Sequence, residues 1–447
     1  MIKRLNKKGS VTVFLMSILI TMIMASLVFV HATRSVAGAS YSDAVLELAG
    51  RSVLAEFDRR LKDEYGIFAF NGNEGVVAHR INLYASASFD KRIPNEIPWR
   101  QGRITDLLRL DLQKINVEIA QYSLMDVDVF EEQISNYMNY LLVQMGIDFI
   151  RSMWSKGEAG SGGNNNSSGN TQSEDKVLRN DAEIQSLPSA GRAQNGINIA
   201  SVVANGIPSI DRIFDQGTMN FKTNEYILSH FKYRVGGNKE KVTFFENEVE
   251  YIIYGRMSDR ENLRAFRTDF LLLRTPLNLA HILSDSQKRG QAQALANTFG
   301  PKAPIAFAVI VAAWSLAEAE NDARRLLDGK NVALIKTNRQ WALTLANAIN
   351  VTATTDEEGE IVDVNASPRN SAGYISPELD TGFSYADYLR LFLFLERRET
   401  KLLRTMDLIQ LNFRGSYYED FLIKEHYTGF SLSAVVSGKR FDYEQKY

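Results

Sequence analysis

VTVFLMSILITMIMASLVFV, Val11 to Val30, runs for twenty residues without a charged side chain. As a helix rising about 1.5 Å per residue it covers about 30 Å, the thickness of a bilayer's hydrocarbon core. Lys3, Arg4, Lys7 and Lys8 precede it, whereas the far side opens with His31 and Arg34 and continues to Asp43 and Glu47. Cations collect on the cytoplasmic side of a span. The reading is a single-pass helix at the cell membrane over 11–30, with residues 1–10 cytoplasmic and nearly all the rest outside. A cleaved secretory signal is the rival, with Ala37-Gly38-Ala39 as its site. The apolar run exceeds the usual signal core, and Arg34 stands between the two.

Within the span Ser17, Thr21 and Ala25 fall four residues apart, so a helix places them on one face. Small residues in that pattern let two membrane helices approach closely. Beyond the span no proline occurs through Leu61, and Leu46, Ala49, Val53, Phe57 and Leu61 repeat at spacings of three and four. That stripe predicts a stem helix over 31–62, continuous with the span, laying its apolar side into an exported body.

The body divides around 156–175, KGEAGSGGNNNSSGNTQSED, which is too polar and glycine-rich to order itself and is read as a flexible insertion. The first exported region, 63–155, is read as a short strand at Tyr65–Phe70, a helix around Val76–Ser88 and a strand over Ile115–Ser123. An amphipathic helix from Phe130 through Tyr137, Met145 and Phe149 to Trp154 completes it. In the second region, 176–447, the periodicity predicts helices at Asn224–Phe231, Ser258–Leu283 and Asp285–Phe299, with Val242–Tyr254 as strand or helix. Ala303–Ala317 is nearly all apolar but too short to span a bilayer, and it runs into Glu318 and Glu320, so it reads as a buried core helix. Val351–Ala366 has the pattern of a β-hairpin. Ser384 and Asp387 make a capping box that opens one helix with an apolar face through Phe413. Gly429–Phe441 alternates as a final strand. The fold class expected is α+β and helix-rich, a long transmembrane and stem helix followed by an exported mixed domain.

Composition narrows the chemistry. The 447 residues are 45% hydrophobic and 23% charged with a formal net charge of −2, the make-up of a folded protein without a basic arm for nucleic acid. Cysteine is absent, which removes disulfides, thiolate metal sites and cysteine nucleophiles. No GxxxxGK, GxSxG or HExxH is present, and the five histidines share no metal-ligand spacing. The acids Asp356, Glu357, Glu358, Glu360 and Asp363 lack the ligand spacing of a calcium loop and read as a solvated turn. No catalytic, cofactor-binding or metal site is therefore assigned, and no small-molecule substrate. The chain is expected to be no enzyme and to need no cofactor, its partners being the lipid bilayer and other envelope proteins.

KKGSVTVFLMSILITMIMASLVFVHATR and ELAGRSVLAEFDRRLKDEYGIFAF resemble the membrane-anchored TadE/TadG-like proteins of tight-adherence (Tad, or Flp) pilus systems. They are closest to an uncharacterised Gram-positive family of that type, as are FFENEVEYIIYGRMSDRENLRAFRTDFLLLRTPLNLAHILSD and SYADYLRLFLFLERRETKLLRTMDLIQLN. The resemblance implies a structural or assembly component of a surface pilus, minor pilin-like or accessory. An adhesin or binding module sharing the anchor is the alternative, ahead of a tethered enzyme. Lys8-Gly9-Ser10 resembles a prepilin-peptidase site, with Ser10 as first mature residue; pilins carry Glu at the fifth mature position, where this chain has Phe14. That departure predicts that Gly9 is not cut.

Overall fold

In the computed structural model the apolar run is part of one helix, α1 (Lys8–Leu54), 47 residues long. At about 1.5 Å per residue it extends about 70 Å. The structure describes residues 8–89, 108, 110–141, 175–193, 197, 199–205, 218–236, 242–352 and 374–447. The basic residues before Lys8, the stretch 156–174, the end of the predicted helix at Met145, Phe149 and Trp154, and the acids from Asp356 to Asp363 lie outside these.

The fold is helix-rich α+β, as expected, and the chain forms two compact units that interleave along the sequence. The first takes in Met1–Asp63, Phe68–Asp126 and Lys424–Tyr447, and the second Glu64–Ile67 and Val127–Ile423. The sequence reading divided the exported chain into consecutive regions instead. Hydrophobic periodicity locates elements but carries no record of which distant strands pair, and here the last strands join the first helix.

The first unit holds the latter part of α1, α2 (Arg59–Tyr65) up to Asp63, α3 (Glu74–Phe89) and two antiparallel sheets. One sheet pairs β1 (Phe70–Asn71) with β3 (His426–Tyr427). The other has the order β2 (Leu112–Glu118), β4 (Gly429–Val436), β5 (Lys439–Lys446). Phe430, Leu432, Ala434 and Val436 alternate along β4 and face α1 and α3, while Ser431 and Ser433 face outward. The predicted stem of 31–62 is shorter in the structure. Leu46, Ala49 and Val53 are buried as expected, but α1 ends at Leu54. Asp58 Oδ1 then accepts the amides of Arg60 and Leu61, capping a new helix. The predicted last strand, Gly429–Phe441, is a hairpin: Ser437 and Gly438 both have positive φ, 49° and 79°, the geometry of a two-residue turn that matches strand twist.

The second unit is built from helices: α4 over 127–141, α5 (Asp181–Ser186), α6 (Ile199–Asn205), α7 (Met219–His230), α8 (Glu248–Tyr254), α9 (Asp259–Ser284), α10 (Ser286–Asn297), α11 (Ala303–Leu327), α12 (Leu345–Thr352), α13 (Tyr385–Leu395) and α14 (Arg398–Ser416). Val242–Tyr254 resolves as a helix in its second half. Val351 and Thr352 close α12 rather than opening a hairpin, and the rest of that predicted hairpin lies outside the described residues.

The apolar stretch Ala303–Ala317 is only partly core. Trp314 and Ala317 are buried, whereas Ile305 and Val309 are 71% and 62% exposed. Further along, α11 also buries charged residues. Arg274 of α9 meets Asp322 at 3.0 Å, and Lys336 joins Glu318 and Asp322, so each charge taken from water has an opposite partner.

The predicted single helix from Ser384 is two. The capping box forms as expected, but Glu396 and Arg397 are extended, with ψ of 148° and 135°. The break lets α14 take a direction of its own, and every residue from Thr400 to Phe413 is buried. A helix enclosed on all sides cannot keep a polar face, so its polar residues find partners inside. Arg404 donates to the carbonyls of Ile252 and Ile253 at the end of α8. Asp407 accepts from the Ser189 amide and the Tyr251 hydroxyl, both at 2.9 Å. Asn412 bridges the Phe244 amide and Glu248.

Candidate functional site

The segment of α1 from Val11 to Val30 is exposed throughout, with Phe29 73% and Val13 70% accessible. An apolar surface of this extent is stable only when covered, and by length and composition this helix is able to cross a membrane. Its backbone bonds close within the helix, as a span requires. Ser17 Oγ donates to the Phe14 carbonyl at 2.8 Å, and Thr21 Oγ1 lies 3.0 Å from Ser17 O and 2.8 Å from Ile18 O. The hydroxyls are thus satisfied without a partner helix. Ser17, Thr21 and Ala25 lie one turn apart on the exposed surface, a shallow strip bounded by larger apolar side chains. Gly9 and Ser10 fall in the first turn of α1, one turn before the exposed Phe14.

The same helix then becomes core. Gly38, Ser42, Leu46, Ala49, Gly50 and Val53 are buried along one side, small where the sheet comes nearest. A Cβ at Gly50 would fall 2.2 Å from Gln445 Oε1, so only glycine leaves room for the Gln445 side chain where it stands. β5 runs beside this stem and is tied to it at four levels. Lys439 Nζ donates to Ser35 Oγ at 3.0 Å, Tyr443 Oη to Asp43 Oδ1 at 2.5 Å, Gln445 Nε2 to Glu47 O at 3.2 Å, and Tyr447 Oη to Leu54 O. The lengths agree: eight strand steps at about 3.3 Å cover about 26 Å, and nineteen helical steps at about 1.5 Å cover about 28 Å. The Tyr443 hydroxyl is pushed well above its ordinary pKa by burial and by Asp43, so it remains a donor.

Sequence reasoning missed this clasp. The alternation Phe441, Tyr443, Gln445, Tyr447 was its one local signal, and nothing near it names α1 as the partner.

Sites for chemistry are sparse among the described residues. No group of three or more His, Asp or Glu is placed to hold a metal ion. His79 lies on α3, His230 stacks on Tyr226, and His281 stacks on Trp341, so these histidines remain apart. Two open, polar depressions stand out. One lies on the outer face of the three-stranded sheet, lined by Asn116, Glu118, Ser433, Arg440 and Asp442; the other lies beside Asn180, Glu183 and Arg414. The strongly shifted acids are buried instead: burial pushes Glu250 up to about 7 and Asp407 up to about 6.

By fold, then, this is a helix-rich α+β protein with one long apolar helix near its N-terminus, able to cross a membrane, and a mixed body after it. Residues 168–438 match DUF5702, a family of unknown function, and the chain belongs to that family. No curated protein and no solved structure matches it.

Proposed function

We propose that this protein is a membrane-anchored, extracytoplasmic structural or assembly component, minor pilin-like or accessory, of a Tad-type surface pilus. The observation that carries the reading is the continuity of α1. One helix without a break leads from a fully exposed apolar segment to a stem enclosed by α3 and the terminal sheet. A rigid connection of that kind transmits position and force between a bilayer and an outer body, which an assembly component needs and a freely diffusing enzyme does not. The TadE/TadG-like resemblance of the opening residues adds to it. The cations at Lys3, Arg4, Lys7 and Lys8 support a cytoplasmic N-terminus with the body outside.

The test has two parts. Protease added to intact, wall-stripped cells should digest a C-terminal tag, and a tag protected until lysis refutes the orientation. Replacing Ser17, Thr21 and Ala25 together by Leu should keep the protein in the membrane, since apolarity rises, while preventing close helix approach. Crosslinking to pilus proteins and surface assembly should then fall several-fold. Unchanged crosslinking and assembly in a membrane-inserted variant would remove the packing role.

A further inference from the structure

Lys401 is wholly buried on α14, and three oxygens surround its Nζ: Asn224 Oδ1 at 2.6 Å, Asn220 Oδ1, and the Leu393 carbonyl at 3.3 Å. Asn220 and Asn224 are one turn apart on α7, so both carboxamides reach the same amine. Burial pushes the Lys401 pKa down to about 7, which leaves a substantial fraction as the neutral amine near neutral pH. Glu396, in the break before α14, is buried; its Oε1 accepts the Arg397 amide at 2.9 Å, and its Oε2, 3.9 Å from Arg404 Nη1, has no hydrogen-bond partner among the described residues. Burial raises its pKa as well, and it lies within electrostatic reach of Lys401. A buried amine held against a carboxamide, with a buried carboxyl close by, has the components of an amide exchange.

We propose that Lys401 and Asn224 become joined by an intramolecular amide bond that the folded protein forms itself. The neutral Nζ attacks Asn224 Cγ, the new C–N bond forms, the Cγ–Nδ2 bond breaks, and ammonia leaves. One proton passes from Nζ to the departing nitrogen, with the Glu396 carboxyl as the buried group able to hold it in transit. Atoms and charge balance with no oxidant and no other reactant: an amine and a primary amide give a secondary amide and ammonia. Fixed proximity replaces the activation that free amides require, and burial keeps competing water out. Asn224 is chosen over Asn220 because it is the more deeply buried of the two. The bond would staple α7 to α14 across 177 residues in a chain with no cysteine for a disulfide. The inference stands on the second unit alone and does not depend on the pilus reading.

Tryptic mapping of the full chain, extracted in detergent, tests it directly. Cleavage after Lys222 separates the two asparagines, and an acylated Lys401 is no longer cut. The expected product is Glu399–Arg404 joined to Thr223–Lys232, lighter than the two peptides together by one ammonia. Recovery of Thr223–Lys232 and Leu402–Arg404 as free peptides in full yield would overturn the bond. Linkage to Ile213–Lys222 would overturn the assignment of Asn224. K401M should abolish the linked species. E396Q, checked for native circular dichroism, should lower its yield at least tenfold, and a full yield there would overturn the role of Glu396.

Discussion

Glu250 supplies the sharpest thermodynamic test of the second unit. It is wholly buried in α8, and its Oε1 accepts from the Tyr385 hydroxyl at 2.6 Å and the Arg234 amide at 3.0 Å. Its Oε2 has no partner among the described residues. Burial pushes the pKa from 4.5 to about 7, and these hydrogen bonds oppose the shift without cancelling it. The fold therefore holds a proton that the unfolded chain releases near 4.5. Below that value both states are protonated and Glu250 contributes no pH dependence. As pH rises toward about 7 the folded state loses stability relative to the unfolded one, and above it the loss is complete. At about 1.4 kcal/mol per unit the loss is roughly 3 kcal/mol. Glu250→Gln removes the titration and keeps an oxygen for Tyr385 and Arg234, while any fixed cost of the new amide is the same at every pH. Urea unfolding of both proteins in a background with Trp99 and Trp154 replaced by Phe, followed by fluorescence of the buried Trp314 and Trp341, reads this unit. On going from pH 4.5 to 7.5 the stability difference should move in favour of the variant by up to about 3 kcal/mol, by the same conversion. A difference that stays constant across that range would refute the argument, because Glu250 would then be titrating as it does in the unfolded chain.

Two further outcomes follow from the first unit and from α1. Leu432, 1% exposed on the central strand β4, faces the stem, so Leu432→Ala should destabilise this unit by roughly 2–5 kcal/mol and speed proteolysis of the terminal hairpin. N-terminal sequencing of the protein from its native host should find no chain beginning at Ser10, because Phe14 stands where processed pilins carry Glu; a mature Ser10 would contradict this.

The amino-acid sequence by itself determined whatever depends on neighbours along the chain. Twenty uncharged residues must be helical and covered, so α1 was legible. The stripe Leu46, Ala49, Val53 was legible because a helix brings residues three and four apart to one side, and the Ser384–Asp387 capping box because its bonds close within one turn. The candidate packing face at Ser17, Thr21 and Ala25 belongs to the same class.

Tertiary structure decided the rest. Periodicity shows one apolar face on the helix through Phe413 and says nothing of where Lys401, Arg404 and Asp407 go. Their burial is favourable only because Asn224, Ile252, Ile253, Ser189 and Tyr251, which lie 150 or more residues earlier in the chain, supply these three side chains with partners. The clasp of β5 on α1 has the same character. Tyr443 and Tyr447 lie beyond the strand read at Gly429–Phe441, and that they hold a helix some four hundred positions away follows from sheet order, which local periodicity does not encode.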